Sequence, residues 1–447
     1  MPLCYNESSL FRPTLYIIEM KKFLSFIVFT VILALALGLV VLVRMSEDLK
    51  PVKHVYYPEP KEYKWNFQAI DTMKYSRDLA REKLEDKDFD QVIDTQVKAI
   101  ADTGVTHVVV ATPYDAEFLP MTRRWVAAAR KHNLLVWFRG NFAGWEKWFE
   151  YPRITREEHL KKTVSFIENN SNLFLDGDVF SACPECENGG PGDPRLTQDT
   201  LGHRKFLIDE YQATEAAFRK INKSVRTNFF SMNGDVARLI MDKPTTKALG
   251  GIVTVDHYVE TPEQLVSDLE EIAEISGGRV VLGEFGVPIP DIHGSMTEEE
   301  QAAWIDKALT LLRQSHVIEG MNYWLAVGGT TEIWEDYGAP KAAVAVIKKN
   351  YHPHIAYGFV YNELGRPLEG VEVRYAGKET DVTNMDGHFT KAFVGDLPVT
   401  FEFSLPGYLP KKQTVSALNQ EMEVVLAKEH KDWKFELLLW LRGYLGK

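Results

Sequence analysis

From Phe23 to Val43 the chain carries no charge, and only Ser25, Thr30 and Gly38 interrupt an apolar run. At about 1.5 Å of rise per residue, a helix of this length spans ~30 Å, the thickness of a bilayer's hydrocarbon core. A core helix of a soluble domain would show a polar stripe, and this run has none. Lys21 and Lys22 stand directly before it, like the basic start of a secretory signal. No small-residue cleavage motif follows at Leu42-Val43-Arg44-Met45. The pattern predicts an uncleaved signal anchor over 23–43, after a tail of residues 1–22. Arg44, Lys50 and Lys53 nearly balance the lysines before the run, so basic residues alone do not orient it. Residues 44–62 are charged and contain proline, and read as a stalk.

From Tyr63 the periodicity changes. Short β-rich runs alternate with amphipathic helical stretches over residues 63–351. The strand-like runs are Lys64–Ile70, Thr106–Thr112, Leu134–Arg139, Asp178–Ala182, Val225–Phe230, Gly251–Val255, Arg279–Gly283 and Gly320–Trp324. Helical periodicity separates them: Phe89–Thr103, Glu117–His132, Thr155–Asn169, Arg204–Ile221, Asp235–Met241, Pro262–Ile275, Thr297–Gln314 and Pro340–Lys349. Thr155 with Glu158, and Thr297 with Glu300, have the spacing of capping boxes. Gly104 stands where a helix-terminating glycine belongs. Such alternation implies a parallel sheet, and eight units fit a closed (β/α)8 barrel better than an open doubly wound sheet. No glycine-rich phosphate loop follows the first strand, which disfavours a nucleotide-binding sheet.

From Ile355 helical periodicity stops. Tyr357–Tyr361, Val371–Tyr375, His388–Phe393, Val399–Ser404 and Glu421–Leu426 alternate in polarity between Gly, Pro and Asn-Asp turns. Residues 352–428 therefore read as a small all-β sandwich. The module resembles the carboxypeptidase regulatory-like (transthyretin-like) domains in Gly358-Phe-Val, Gly365-Arg-Pro-Leu, Gly370-Val-Glu-Val, Thr383-Asn-Met-Asp-Gly-His-Phe389 and Pro406-Gly-Tyr. The resemblance implies a non-catalytic accessory domain and no peptidase chemistry. Residues 429–447 form a last helical run crowded with Trp433, Phe435, Leu437, Leu438, Trp440 and Tyr444. It is too short to span, and reads either as an interfacial membrane helix or as a helix docked on its own domain.

Composition narrows the function. The formal net charge is −12 and no basic block is present, which argues against a nucleic-acid partner. The three cysteines imply no disulfide framework. Cys183 and Cys186 form a lone Cys-Pro-Glu-Cys without the second pair a zinc site needs. Packing at a crowded strand end is the favoured reading, and a disulfide the lesser one.

In a (β/α)8 barrel the chemistry sits at the C-terminal strand ends. Those ends offer Asp71, Arg139 and Asn141, then Pro184-Glu185-Cys186-Glu187-Asn188, Ser231 and Asn233, Asp256-His257-Tyr258, Glu284, and Trp324. Two carboxylates facing across a barrel mouth are the equipment for cleaving a glycosidic bond, one donating a proton while the other attacks or guides water. Trp145, Trp148, Phe149 and Tyr151 offer rings for stacking against sugars.

With these residues in view, the barrel resembles the clan A retaining glycoside hydrolases, the cellulase-like enzymes. Val280-Val-Leu-Gly-Glu284-Phe-Gly matches the strand-seven pattern, which implies Glu284 as nucleophile. Pro184-Glu185-Cys186 stands where Asn-Glu-Pro is expected, which implies Glu185 as acid/base. Tyr258 matches a tyrosine that bonds the nucleophile, Trp324 one that lies under the reactive sugar, and Arg139 an arginine that keeps the nucleophile ionised. Pro184 departs from the pattern, since an asparagine there normally holds the sugar's 2-hydroxyl. Asn188 or Asn233 substitutes, or that position is recognised differently. Glu187 rivals Glu185, since the two sit one residue apart. His257 reads equally as packing or as a substrate contact.

The expectation is a membrane-anchored retaining glycoside hydrolase acting on an oligo- or polysaccharide. It would need no metal or cofactor, and its barrel and C-terminal domain would lie outside the cell membrane. The alternative is a non-catalytic carbohydrate-binding or cell-envelope scaffold on the same barrel. A third reading, a metal-dependent barrel hydrolase, would require bound zinc.

Overall fold

The computed structural model describes residues 13–48, 65–336, 338–375, 379–394, 397–416 and 421–445. The predicted tail before residue 13, and the stalk beyond residue 48, lie outside them. Contacts divide the chain into two units. One runs up to Ile355 and takes in Ala392; the other holds the N-terminal helix, Ala356–Lys391 and the segment from Leu397 onward.

The first unit is a (β/α)8 barrel. Its strands are β1 (Phe67–Asp71), β2 (His107–Val110), β3 (Leu135–Phe138), β4 (Val179–Phe180), β5 (Ser231–Asn233), β6 (Ile252–Asp256), β7 (Arg279–Phe285) and β8 (Ile318–Tyr323). They pair in parallel in the order β4-β3-β2-β1-β8-β7-β6-β5. A parallel bridge between Val179 and Arg226 joins β4 to the chain entering β5 and closes the ring. Helices alternate with the strands as the periodicity predicts. Both predicted capping boxes form, Thr155 with Glu158 and Thr297 with Glu300.

The fifth strand departs from its predicted span. Val225–Phe230 lies beside β4 but pairs with it through a single parallel bridge, Arg226 N–H to the Asp178 carbonyl at 2.9 Å and Phe180 N–H to the Arg226 carbonyl at 2.8 Å. The Phe229 carbonyl accepts from the Ser181 hydroxyl at 2.7 Å, so that carbonyl is taken by a side chain. Regular pairing begins only at Ser231, against Thr254.

The barrel's interior is a packed floor. Phe67, Ala69, Val109, Trp137, Val179, Phe229 and Val281 form one buried cluster. Phe229 meets Phe67 edge-on at 4.8 Å and Trp137 edge-on at 5.3 Å between ring centres. Apolar side chains fill the lower layers, so the polar residues of the same strands gather at the open, C-terminal end.

Among the described residues of the second unit, seven strands make two sheets. β10 (Glu372–Tyr375), β11 (Glu379–Val382), β13 (Val399–Ser404) and β14 (Lys411–Val415) pair antiparallel in the order β11-β10-β13-β14. β12 (His388–Phe393), β9 (His354–Asn362) and β15 (Glu421–Leu426) form the other, with β15 parallel to β9. Strict alternation buries Val399, Phe401 and Phe403 on one sheet, and Met422, Val424 and Leu426 on the other. β11 and β14, absent from the sequence reading, are the two edge strands of their sheet, and Glu-Thr-Asp-Val and Lys-Lys-Gln-Thr-Val are the polar sequences edges carry.

The N-terminal helix runs Pro13–Asp48. Its stretch Met20–Gly38 has a mean hydropathy of 2.1 and none of it is buried. The last helix, Trp433–Leu445, packs Phe435 and Leu438 against Leu364 of the sandwich. Its docking leaves Trp433, Trp440 and Tyr444 exposed, with the rings of Trp440 and Tyr444 stacked 5.8 Å apart.

Candidate active site

Arg139 leaves the end of β3 and is 2% exposed at the centre of the barrel mouth. Its guanidinium donates through Nη1 to Glu284 Oε1, and through Nη2 to Asp256 Oδ2 at 2.7 Å and the Ser231 hydroxyl at 3.1 Å. Asp71, ending β1, lies 3.7 Å away. Asp71 also caps its own turn by accepting from the Met73 N–H at 2.6 Å. One buried cation thus serves three buried acids, which would otherwise repel one another.

Glu284 is placed by an irregularity in the sheet. The pairing of β6 with β7 runs Val255 to Leu282 and then Asp256 to Glu284, so β7 carries one extra residue at Gly283. A Cβ on Gly283 would lie 2.5 Å from Asp256 Oδ1, so glycine is what lets the strands close there. The bulge sets Glu284 beside Asp256, and the Tyr258 hydroxyl donates to Glu284 Oε2 at 2.7 Å. Trp324, after β8, stands edge-on to Tyr258 at 5.9 Å and completes this wall.

Glu185 approaches from the opposite wall. The chain after β4 makes a tight turn closed by a Cys183–Cys186 disulfide, with Cα atoms 5.3 Å apart. This corrects the packing reading of the two cysteines. The lesser reading, a disulfide, is the one that holds, and a single i, i+3 pair shows nothing of the multi-bridge framework that would have favoured it. Glu185 is half-buried, and one oxygen each from Glu185, Asp256 and Glu284 lie within 4.8 Å of one another. A metal ion placed there would compete with Arg139 for two of the three carboxylates, so this donor set does not suit a resident cation.

Burial and mutual repulsion raise several acids. Glu185 is pushed up by burial and then by the charge of Glu284, against the pull of Arg139. Asp256 is pushed up strongly for the same reasons. Burial lifts Asp71 to about 6. Glu187 rises to about 7 through burial, although the Asn233 N–H bonded to it opposes the shift. Glu146 rises to about 8, from burial and then the neighbouring Glu185.

The remaining predicted residues divide. Asn188 is exposed and its N–H donates to the Glu185 carbonyl at 2.9 Å, so it stands at the mouth. Glu187 turns away, accepting from the Asn233 N–H at 2.7 Å. Asn233 itself is exposed, and its side-chain oxygen caps the next helix at the Asp235 N–H, 3.0 Å away. Trp145 and Asn141 are corrected as sugar contacts, and His257 takes its packing reading. Trp145 is 1% exposed and stacks on Phe206 at 5.1 Å, its indole N–H bonded to the Cys186 carbonyl; it is a wedge beneath the site and offers no face to a sugar. Asn141 is wholly buried, its oxygen accepting from the Phe142 N–H and facing His159 Nε2 at 2.9 Å, with Glu210 behind that ring at 2.6 Å. His257 pairs with Asp268 of the helix Pro262–Ser276 at 2.8 Å and is committed to the outer layer. Phe149 and Tyr151 pack around Phe118 and Arg81, while Trp148 lies under the Arg77 guanidinium at 4.6 Å.

Asp256, Ser231 and Glu146 are site residues that sequence reasoning did not single out. Asp256 and Ser231 stood at named strand ends, but nothing in the sequence paired them with Arg139. Glu146 follows β3 inside an aromatic loop, where nothing marks it as inward-facing.

No family model matches the chain, and no curated protein matches it. Solved structures similar to it include a GH5_18 protein from Streptomyces cattleya in complex with Manβ1-4GlcNAc, 13% identical over 66% of this chain and 84% of that one, with a TM-score of 0.48. A GH5_18 protein from Bifidobacterium longum subsp. longum ATCC 55813 is 14% identical, over 68% and 84%, with a TM-score of 0.47. An FMN-binding β-glucuronidase from Facaelibacterium prausnitzii L2-6 is 11% identical over 77% of this chain, with a TM-score of 0.43; the chain spans about half that protein's length, 54%.

Proposed function

We propose that the barrel is a retaining glycoside hydrolase, held at a membrane by the N-terminal helix and acting on a glycan outside it. One observation carries this reading: Glu185 and Glu284 face each other across the mouth with oxygens within 4.8 Å. Oxygens this close support the roughly 5–5.5 Å spacing of retaining enzymes over the about 6.5–9.5 Å of inverting ones.

The two acids differ as the two roles require. Glu284 is held by the Arg139 guanidinium and the Tyr258 hydroxyl, which fix its oxygens toward the mouth. Glu185 has its carboxyl raised by burial and the charge of Glu284, the direction a proton donor needs. In the first step Glu284 bonds to the anomeric carbon, the glycosidic C–O bond breaks, and Glu185 delivers its proton to the departing oxygen. In the second, water gives its proton to Glu185 and its oxygen to the anomeric carbon, releasing Glu284. Asn188, bonded to Glu185 at the exposed edge, is the residue placed to meet a sugar hydroxyl where Pro184 cannot.

The Cys183–Cys186 disulfide supports an oxidising compartment for the barrel, since such bonds persist outside the cytosol. Lys21 and Lys22 then remain on the cytoplasmic side. Resemblance to carboxypeptidase regulatory-like modules supports an accessory, non-catalytic role for the sandwich.

The test is Glu284→Gly assayed with azide on any glycoside the parent protein cleaves. Restored turnover yielding a glycosyl azide of inverted configuration supports the nucleophile. Sugar binding with no hydrolysis by the parent, across a glycan panel, would select the scaffold reading instead.

A further inference from the structure

We infer that the Cys183–Cys186 disulfide is a positioning device for Glu185. The inference rests on the acid/base role proposed for Glu185.

Glu185 has φ 46° and ψ 50°, in the left-handed region. That region is sparsely populated by residues other than glycine and asparagine, and such conformations persist where surrounding structure over-determines them. The disulfide supplies that determination. It closes the loop Cys183-Pro184-Glu185-Cys186 directly across the strained residue, with both cysteines buried, at 0% and 3% exposure. Pro184 fixes its own φ on one side of Glu185. The Glu185 N–H donates to the Ser231 carbonyl at 2.8 Å, and its carbonyl accepts from the Asn188 N–H at 2.9 Å. The far sulfur's residue is anchored in turn: the Cys186 carbonyl accepts from the Trp145 indole at 3.1 Å. Asn141, pinned by His159, sets its amide nitrogen 3.8 Å from the Cys183 sulfur. The buried residues that failed as sugar contacts, Trp145 and Asn141, therefore converge on the cross-link.

Opening the bridge leaves a four-residue turn with a non-glycine residue in the left-handed region and no covalent closure. A dithiol reductant would do so by passing two electrons and two protons to the sulfurs, giving two thiols and becoming a disulfide itself. Glu185 would relax out of the left-handed region and carry its carboxyl away from the departing oxygen, while Glu284, on the opposite wall, stays in place.

The test is Cys183→Ala/Cys186→Ala in the full chain, with two readouts. The first is a crystal structure of the variant. Glu185 leaving positive φ is expected, and Glu185 unchanged in the left-handed region overturns the inference whether or not the protein cleaves any glycoside. The second compares a phenyl with a 2,4-dinitrophenyl glycoside of a sugar the parent turns over. The poor phenol leaving group needs the acid, so its first-step rate falls about 100-fold or more, while the dinitrophenolate loses less than about 5-fold. Equal losses on both mean general destabilisation and count against positioning. A parent that cleaves neither would sink the hydrolase reading, and the structure would still decide the turn. If the variant does not fold, parent protein reduced with TCEP after folding takes its place in both measurements.

Discussion

The Tyr258 hydroxyl donates a 2.7 Å hydrogen bond to Glu284 Oε2 while Arg139 holds Oε1, so both oxygens of the proposed nucleophile are fixed from the protein side. Tyr258→Phe removes one of these bonds and little else, since the ring still packs against Trp324. A hydrogen bond to a charged group contributes about 1.5–3 kcal/mol, so kcat/KM should fall roughly 10- to 100-fold. Thermal unfolding should barely change. A loss confined to KM would mean that Tyr258 binds sugar and does not orient Glu284.

Asp71 makes the barrel's stability depend on pH in a stated direction. Folding raises its carboxyl from 3.8 to about 6 through burial. Between those values the folded chain holds a proton that the unfolded chain has lost. Its contribution is therefore fully present below the lower value and is lost as pH rises through the upper one. Asp71→Asn does not titrate, so its stability relative to the parent should climb from about pH 4 to pH 6, by up to ~1.4 kcal/mol per pH unit. Urea melts at three pH values across that window measure it. A difference that stays flat would mean that Asp71 is ionised throughout, held so by Arg139.

Three acids compete for the proton-donor role, and pH profiles separate them. Activity requires the donor protonated, so kcat/KM falls as pH rises through its raised pKa. Glu185→Ala should abolish that basic limb on a dinitrophenyl glycoside and slow the second step, with azide restoring turnover. Glu187→Gln should keep the limb, because Glu187 spends an oxygen on the Asn233 N–H and turns from the mouth. Glu146→Gln should also keep the limb, because the charge of Glu185 raises Glu146 and Glu146, lifted to about 8, is still neutral where Glu185 titrates. A limb lost in Glu187→Gln and kept in Glu185→Ala would reverse the assignment.

The strands, and the places of Glu185 and Glu284 at strand ends, were legible because they follow local rules. A short apolar run with a charged residue at its end marks a barrel strand, as in Val280-Val-Leu-Gly-Glu284. What failed was whatever depended on partners distant in sequence. Trp145 looked like a sugar platform because it sits in a loop at the mouth, but Gly189 and Gly190 lack the side chains that would keep its ring out, and it sinks beneath them. Asn141 and His257 are polar residues near strand ends whose partners, His159 and Asp268, lie on helices 11–18 residues further on. Periodicity reports which face a residue takes and is silent on which neighbour claims it. The Val225–Phe230 segment has strand composition, yet a single serine hydroxyl at Ser181 diverts one of its carbonyls.

We propose that the last helix makes a membrane contact, which can be read spectroscopically. Phe435 and Leu438 hold it to Leu364, so Trp433, Trp440 and Tyr444, at 68%, 64% and 74% exposure, form an outward aromatic face. Tryptophan and tyrosine favour the headgroup level of a bilayer, where the ring is half in hydrocarbon and the polar edge stays wet. The full chain reconstituted in vesicles carrying a spin label near the headgroup should show quenched tryptophan fluorescence. Trp433→Phe/Trp440→Phe should remove that quenched component, because the largest fully buried tryptophans, Trp125, Trp137 and Trp145, lie inside the barrel. The barrel's own activity should be unchanged by the pair. Quenching that persists in the double variant would place the contact elsewhere and leave the helix as a brace for the sandwich alone.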